Sequence, residues 1–252
     1  MRRWLVAAVL VLLATSVQAQ VSPVGLWSFD EGTGLVAADS SGEANDGSIT
    51  GATWIGGAQG PHALRFDGND TVYMGDRESL EPTTLTVAMC IRSAVPPPGA
   101  YTILVSEGLE GCACASYAWY VEAQNNLAFY TCSGTEAYAT PLIPSADVWN
   151  GRWHRIVATF DGSFVRGYLD GEQVGAPVAG VAPSYALSTH SDFRVGLLGA
   201  CSVSGFAGDI DDLGVWDGAL SDLEIAALSD CNDLLLDGFE TGDTSSWSST
   251  VQ

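Results

Sequence analysis

Residues 153–171, WHRIVATFDGSFVRGYLDG, constrain the fold more than any other stretch of the chain. Two runs rich in aromatic and β-branched residues flank Asp161-Gly162, a pair that reverses the chain between antiparallel strands. Large apolar side chains occupy both parities of each run: Trp153, Ile156, Val157 and Phe160, then Phe164, Val165, Tyr168 and Leu169. A strand with one wet face would alternate apolar and polar residues. This hairpin is therefore expected in mid-sheet, covered in part on both sides. Asp170-Gly171 is a second turn pair, so a three-strand meander is expected.

The remaining pattern repeats the signal on a smaller scale. Strands are expected at 24–30, 63–66, 71–74, 85–91, 101–106, 117–122, 127–131, 136–140, 193–197 and 206–216. Asp67-Gly-Asn-Asp70 reads as another hairpin turn, and 85–91 as a half-buried strand. Residues 39–53, small, polar and glycine-rich, read as a long surface loop. Ser221-Asp-Leu-Glu224 is a capping box opening the one stretch that looks helical. Many short strands with a single short C-terminal helix predict an all-β chain, folded as an antiparallel two-sheet sandwich.

Charge and cysteine content narrow the setting. The formal net charge is −21, from 30 acidic residues against nine arginines, with no lysine. Nucleic acid is not expected as a partner, because neutralising phosphates requires clustered cations. Residues 1–19 have the form of a secretory signal: Arg2 and Arg3, an apolar run from Leu5 to Ala14, and Val17-Gln18-Ala19 as the cleavage site. No membrane span is expected after its removal, and a secreted, envelope or periplasmic location follows. Cys90, Cys112, Cys114, Cys132, Cys201 and Cys231 are expected to form disulfides, with pairing open. Cys231 is expected to tie the end of the chain to the body. The division expected is a signal (1–19), one domain (20–231) and a loose tail (232–252). The tail looks like the Asp-Gly-Phe-Glu…Trp-Ser segment at the end of some exported bacterial proteins, and a sorting or attachment role is its alternative reading.

Four stretches in order resemble the laminin-G-like jelly-roll family of the concanavalin A-like lectin/glucanase superfamily. They are Leu26-Trp-Ser-Phe-Asp30; Ala63-Leu-Arg-Phe-Asp-Gly68 with Val72-Tyr73; Trp153-His154 through Tyr168-Leu-Asp-Gly171; and Phe206 through Trp216 with Ala219-Leu-Ser221. Cys90 departs from the tryptophan frequent at its position, and 110–135 is a cysteine-rich elaboration. The resemblance implies two curved antiparallel sheets with the first and last strands adjacent. It also implies a cation between the first strand, its loop and the closing strand. Asp30, Asn45 and Asp211 are the expected ligands of a structural calcium ion, which takes six to eight oxygens.

For catalysis the sequence offers little. The superfamily's glucanases carry a Glu-x-Asp-x-x-Glu strand motif that has no counterpart here. Asp209 and Asp211 share a strand parity and form the sole dense acidic strand, a weak basis for a two-carboxylate hydrolase. His154 is expected to be a packed histidine. No enzymatic activity is expected. Trp119, Tyr120, Tyr138 and Trp149 are candidate sugar-stacking side chains, with Tyr130 and Tyr185 behind them, although most aromatics of a sandwich are core. The expected role is recognition of a glycan or a cell-surface protein. An adhesive or structural envelope component is the alternative, and a carbohydrate-active enzyme a more distant one.

Overall fold

The computed structural model describes residues 21–97, 101–108, 115–185, 192–196, 205–228 and 231. The strands in chain order begin with β1 (Pro23–Trp27), β2 (Val36–Ala37), β3 (Gly47–Thr50), β4 (Thr53–Ile55), β5 (Ala63–Asp67) and β6 (Thr71–Asp76). They continue with β7 (Leu85–Arg92), β8 (Thr102–Glu107), β9 (Tyr117–Val121), β10 (Leu127–Cys132) and β11 (Ala137–Ala139). Last come β12 (His154–Phe160), β13 (Phe164–Leu169), β14 (Glu172–Gln173), β15 (Val178–Ala179), β16 (Asp192–Gly196) and β17 (Ala207–Asp217). Two short helices are described, α1 (Ser145–Val148) and α2 (Asp222–Ala227).

The strands make two antiparallel sheets. The first runs β14-β13-β12-β7-β17-β5-β4, with β1 also on β17 and β15 on β13; the second runs β11-β10-β9-β8-β16-β6-β3-β2. The first strand pairs with the last, Trp27 opposite Leu213. One core fills the space between the sheets, where Trp27 stacks on Phe193 with centroids 5.5 Å apart.

The opening hairpin is β12–β13, with Phe160 opposite Val165 and Ile156 opposite Leu169. Its second turn, Asp170-Gly171, has both residues at positive φ (50° and 83°), the conformation that lets two residues join right-twisted strands. Every residue of β12 is buried, because Ile156, Ala158 and Phe160 face the main core while Val157 lies under α2. Helix α2 is held by the Ser221–Glu224 capping box, and its Ile225 packs with Ala88, Val157, Tyr168 and Leu220. The C-terminal segment thus covers the outer face of the first sheet.

Three local expectations are corrected. Strand β7 is buried on both faces rather than one, since α2 and the Cys90–Cys231 disulfide cover its outer side. Asp67–Asp70 does reverse the chain, with Asp70 Oδ2 accepting the Asp67 N–H at 2.8 Å. However, it joins strands of different sheets, sending Leu64 and Phe66 into the core from one layer and Val72 and Met74 from the other. The 39–53 stretch is only partly loop: Gly47–Thr50 forms β3, pairing with β6 and burying Ile49. Cys132 is disulfide-bonded. Cys112, Cys114, Cys201, the segment 1–19 and the tail 232–252 fall outside the described residues.

Candidate functional site

A β-bulge in β17 shapes the acidic end of the first sheet. Asp211 lies opposite Cys90 and Gly214 opposite Ala88, so Asp212 and Leu213 together face one residue of β7. Asp212 takes φ 46°. The extra residue switches the alternation: Ile210 points inward before the bulge, and Leu213 and Val215 after it. Asp209 and Asp211, on either side of Ile210 and ahead of the bulge, share the outer face by alternation.

Asp211 is fully buried and works as a loop anchor. Its Oδ2 accepts the Ala58 N–H at 2.7 Å and the Gln59 N–H at 3.5 Å, and its Oδ1 accepts the Asp212 N–H at 2.9 Å. Burial pushes its carboxyl up to about 7, with the Asp212 charge adding to the rise and the N–H bonds opposing it. Asp30 holds the same loop further along: Oδ1 accepts the His62 N–H at 3.2 Å, and the carboxylate lies so close to Gly60 that any side chain there would collide with it. Asp212 is in turn held by Arg155, whose Nη1 donates to the Asp212 carbonyl at 3.2 Å.

Asn45 does not join Asp30 and Asp211 on this loop. Its side-chain amide donates to the Val24 carbonyl at 2.7 Å and to Ser79 Oγ at 2.9 Å, while its backbone carbonyl accepts the Trp27 indole N–H. It sits in a loop gathered by Asp39, whose carboxylate accepts the N–H groups of Leu26, Ser41 and Asn45 at 2.9 Å each. Among the described residues no three His, Cys, Asp or Glu side chains are grouped so as to hold a metal ion. Asp30 and Asp211 both meet the Ala58–His62 loop, and Asp211 Oδ1, which accepts one N–H, keeps a second lone pair there, whereas Asn45 lies on the other loop.

The other acidic candidate is engaged as well. Asp209 receives Arg65 Nε on Oδ1 at 2.7 Å and Arg92 Nε on Oδ2 at 2.8 Å. His154 is 8% exposed, with Asp170 Oδ2 at 2.8 Å from Nδ1 and Asn150 Oδ1 at 3.0 Å from Nε2. It braces the second turn of the central hairpin, as expected for a packed histidine.

The aromatic candidates divide by strand parity. Trp119 is wholly buried, packed edge-on to Phe129 at 5.5 Å with its indole N–H on the Val87 carbonyl. Trp149 is buried too, its N–H on the Asn125 carbonyl at 2.7 Å. Neither offers a ring face to a ligand. Tyr138 is 37% exposed on β11, at the edge of the second sheet.

Tyr120 is placed differently. It lies on the outer face of the second sheet, stacked with Tyr101 (6.5 Å between centroids, planes 5° apart) and edge-on to Tyr130 at 5.2 Å. Tyr101 is 61% exposed. Tyr130 is fixed by the Ala115 N–H donating to its hydroxyl at 2.8 Å. Tyr101 escaped the sequence reading. Its one local sign is an aromatic ring at a strand entrance just after a proline-rich turn.

A family model described as the Concanavalin A-like lectin/glucanases superfamily matches residues 66–226. Among solved structures, domain 4 of AbnA, an extracellular arabinanase of Geobacillus stearothermophilus solved with arabinotriose, is similar at 18% identity and TM-score 0.60, over 82% of this chain and 98% of that one. The Trypanosoma rangeli sialidase is similar at 17% identity and TM-score 0.62, but the match spans 82% of this chain and only 32% of the sialidase. The binding domain of Paraclostridial Mosquitocidal Protein 1 is similar at 13% identity and TM-score 0.63, over 82% of this chain and 51% of that one. At these identities the likeness is one of fold. No match is found among curated proteins.

Proposed function

Since the chain belongs to the concanavalin A-like lectin/glucanases superfamily, we propose that it is an exported, non-catalytic recognition domain that binds carbohydrate at the tyrosine ladder Tyr101–Tyr120–Tyr130. One observation carries this reading. Two parallel tyrosine rings stand together on the outside of a sheet, one of them 61% exposed, where a core role would have them enclosed. A sugar's C–H face stacks on such a surface, and phenol hydroxyls at its rim accept and donate to sugar hydroxyls. Burial first, then the Glu122 charge, raises the Tyr120 hydroxyl above its ordinary value, and a phenol at a pH below that value is a donor as well as an acceptor. The similarity to the arabinanase domain solved with arabinotriose supports the ligand class.

Glycan-array screening followed by titration tests the proposal. Tyr101→Ala and Tyr120→Ala are each expected to weaken the best glycan by about tenfold, the loss typical of an aromatic anchor. Unchanged melting is expected for Tyr101→Ala, given its exposure. A blank array, or binding indifferent to both substitutions, overturns the reading. The absence of catalysis is supported by the engagement of Asp209 with two arginines and of Asp211 with three N–H groups, which leaves neither carboxylate poised across a glycosidic bond.

We further propose a structural calcium ion held by Asp30 and Asp211 at the loop they share. A weak extracellular site occupied at millimolar calcium adds about 1 kcal/mol. The melting temperature should therefore rise by about 2–4 °C with calcium relative to chelator, and Asp30→Asn should abolish the rise. No shift in the unmodified protein removes the ion from the proposal.

A further inference from the structure

Two arginines converge on one carboxylate at an open pocket of the first sheet. Arg65 on β5 and Arg92 on β7 are the cross-strand neighbours of Asp209 on β17. Arg65 binds it through Nε and Nη2 at 2.7 and 3.1 Å, and Arg92 through Nε and Nη2 at 2.8 and 2.7 Å. The Asp209 side chain is only 5% exposed. The three groups together keep one net positive charge. Both guanidinium groups use the same edge for Asp209, and the contacts made among the described residues leave Nη1 of each unengaged. Arg92 also lies over the Trp153 ring at 4.4 Å, which fixes its plane. The two arginines line a pocket of ≈ 310 Å³ together with Ser93, Gly151 and Gly208.

This chemistry selects one kind of guest. A guanidinium with a fixed plane and a free edge is suited to a carboxylate. The surplus of one charge matches one carboxylate, whereas a polyanion would meet the field of a chain at −21. A volume near the low end of ligand pockets suits a single sugar ring. We propose that this pocket binds the carboxylate of one acidic sugar residue, a uronate. The choice of a sugar rests on the carbohydrate-recognition reading above; the anion site rests on Arg65, Arg92 and the pocket alone.

Titration of the full domain with glucuronate, glucose and inorganic phosphate tests the proposal, read by calorimetry and by tryptophan emission, to which Trp153 contributes. Glucuronate is expected to bind at least about tenfold more tightly than glucose, the size of one charge-assisted hydrogen bond, and to perturb the emission. Arg65→Gln, at a side chain 56% exposed, should lose that preference while Arg92 still pairs with Asp209. Tyr120→Ala should leave glucuronate binding intact. Glucuronate binding without any neutral-glycan binding would support this site while removing the tyrosine ladder from the functional reading. Equal binding of glucose and glucuronate, phosphate binding as tightly as glucuronate, or an Arg65→Gln variant that binds like the parent would each overturn the proposal.

Discussion

Replacing Cys90 and Cys231 together by alanine is expected to lower the melting temperature by roughly 10 °C, and a reductant, which also opens the disulfide of Cys132, should lower that of the unmodified protein by at least as much. The bond joins residues 141 apart in sequence, so its loss releases a very long loop in the unfolded chain. The chain-entropy model places that release at about 5 kcal/mol, with measured values for native disulfides at about 2–5 kcal/mol. Packing is lost as well, because the two cysteines share a buried cluster with Ala63 and Trp153, flanked by Ile55 and Ala58. Ala58 belongs to the loop that Asp211 anchors, so the cost extends to the acidic junction. Calorimetry of the double variant, with and without reductant, checks the expectation. A double variant that melts with the parent would show that the bond contributes nothing measurable.

Glu107→Gln should act in the opposite direction, stabilising the protein above neutrality. Glu107 faces the core from β8, opposite Tyr117 on one side and Phe193 on the other. It is wholly buried, and neither carboxyl oxygen has a hydrogen-bond partner among the described residues. Thr131 Oγ1, across β9 from it, likewise has no partner among the described residues. Burial first, then the charges of Glu81, Asp76 and Asp192, raise its pKa well above the ordinary value. A carboxyl whose folded pKa is raised stabilises fully when protonated, and that contribution is lost as pH climbs from the unfolded value through the folded one. Glutamine keeps the shape without the charge. The gain should be about 1–3 kcal/mol at alkaline pH and should shrink toward zero near about pH 4, where the parent is itself protonated. Asp211 and Asp212, also raised, will leave the variant with a residual slope of the same sign. Melting scans across pH check this. An equal effect at both ends of the range would mean that the charge is not the cause.

Legibility followed the range of the interactions. The β12–β13 hairpin, the Asp170-Gly171 turn and the α2 capping box were all readable, because each is settled by residues within a few positions of one another. Asp67–Asp70 shows the limit of such reasoning. Its turn forms as read, yet whether the flanking strands pair or part depends on partners more than a hundred residues away: β17 for β5 and β16 for β6. Tyr117–Val121 shows the same limit at a candidate site. Aromatic rings occupy both parities of that run, so no local rule says that Trp119 turns inward and Tyr120 outward.

The sequence by itself determined the class of fold, the strand pattern in outline, the acidic charge balance and the resemblance to the superfamily. Each of these rests on local turn chemistry, alternation or summed charge. Only the tertiary structure decided that Asp30 and Asp211 meet one loop while Asn45 serves another, and that Cys90 joins Cys231. It alone set Tyr101 beside Tyr120 on an outer face and gathered Arg65 and Arg92 on Asp209. All of these depend on pairing between residues far apart in sequence, and at the closing strand on the bulge at Asp212, where a single extra residue turns Leu213 and Val215 into the core after Ile210.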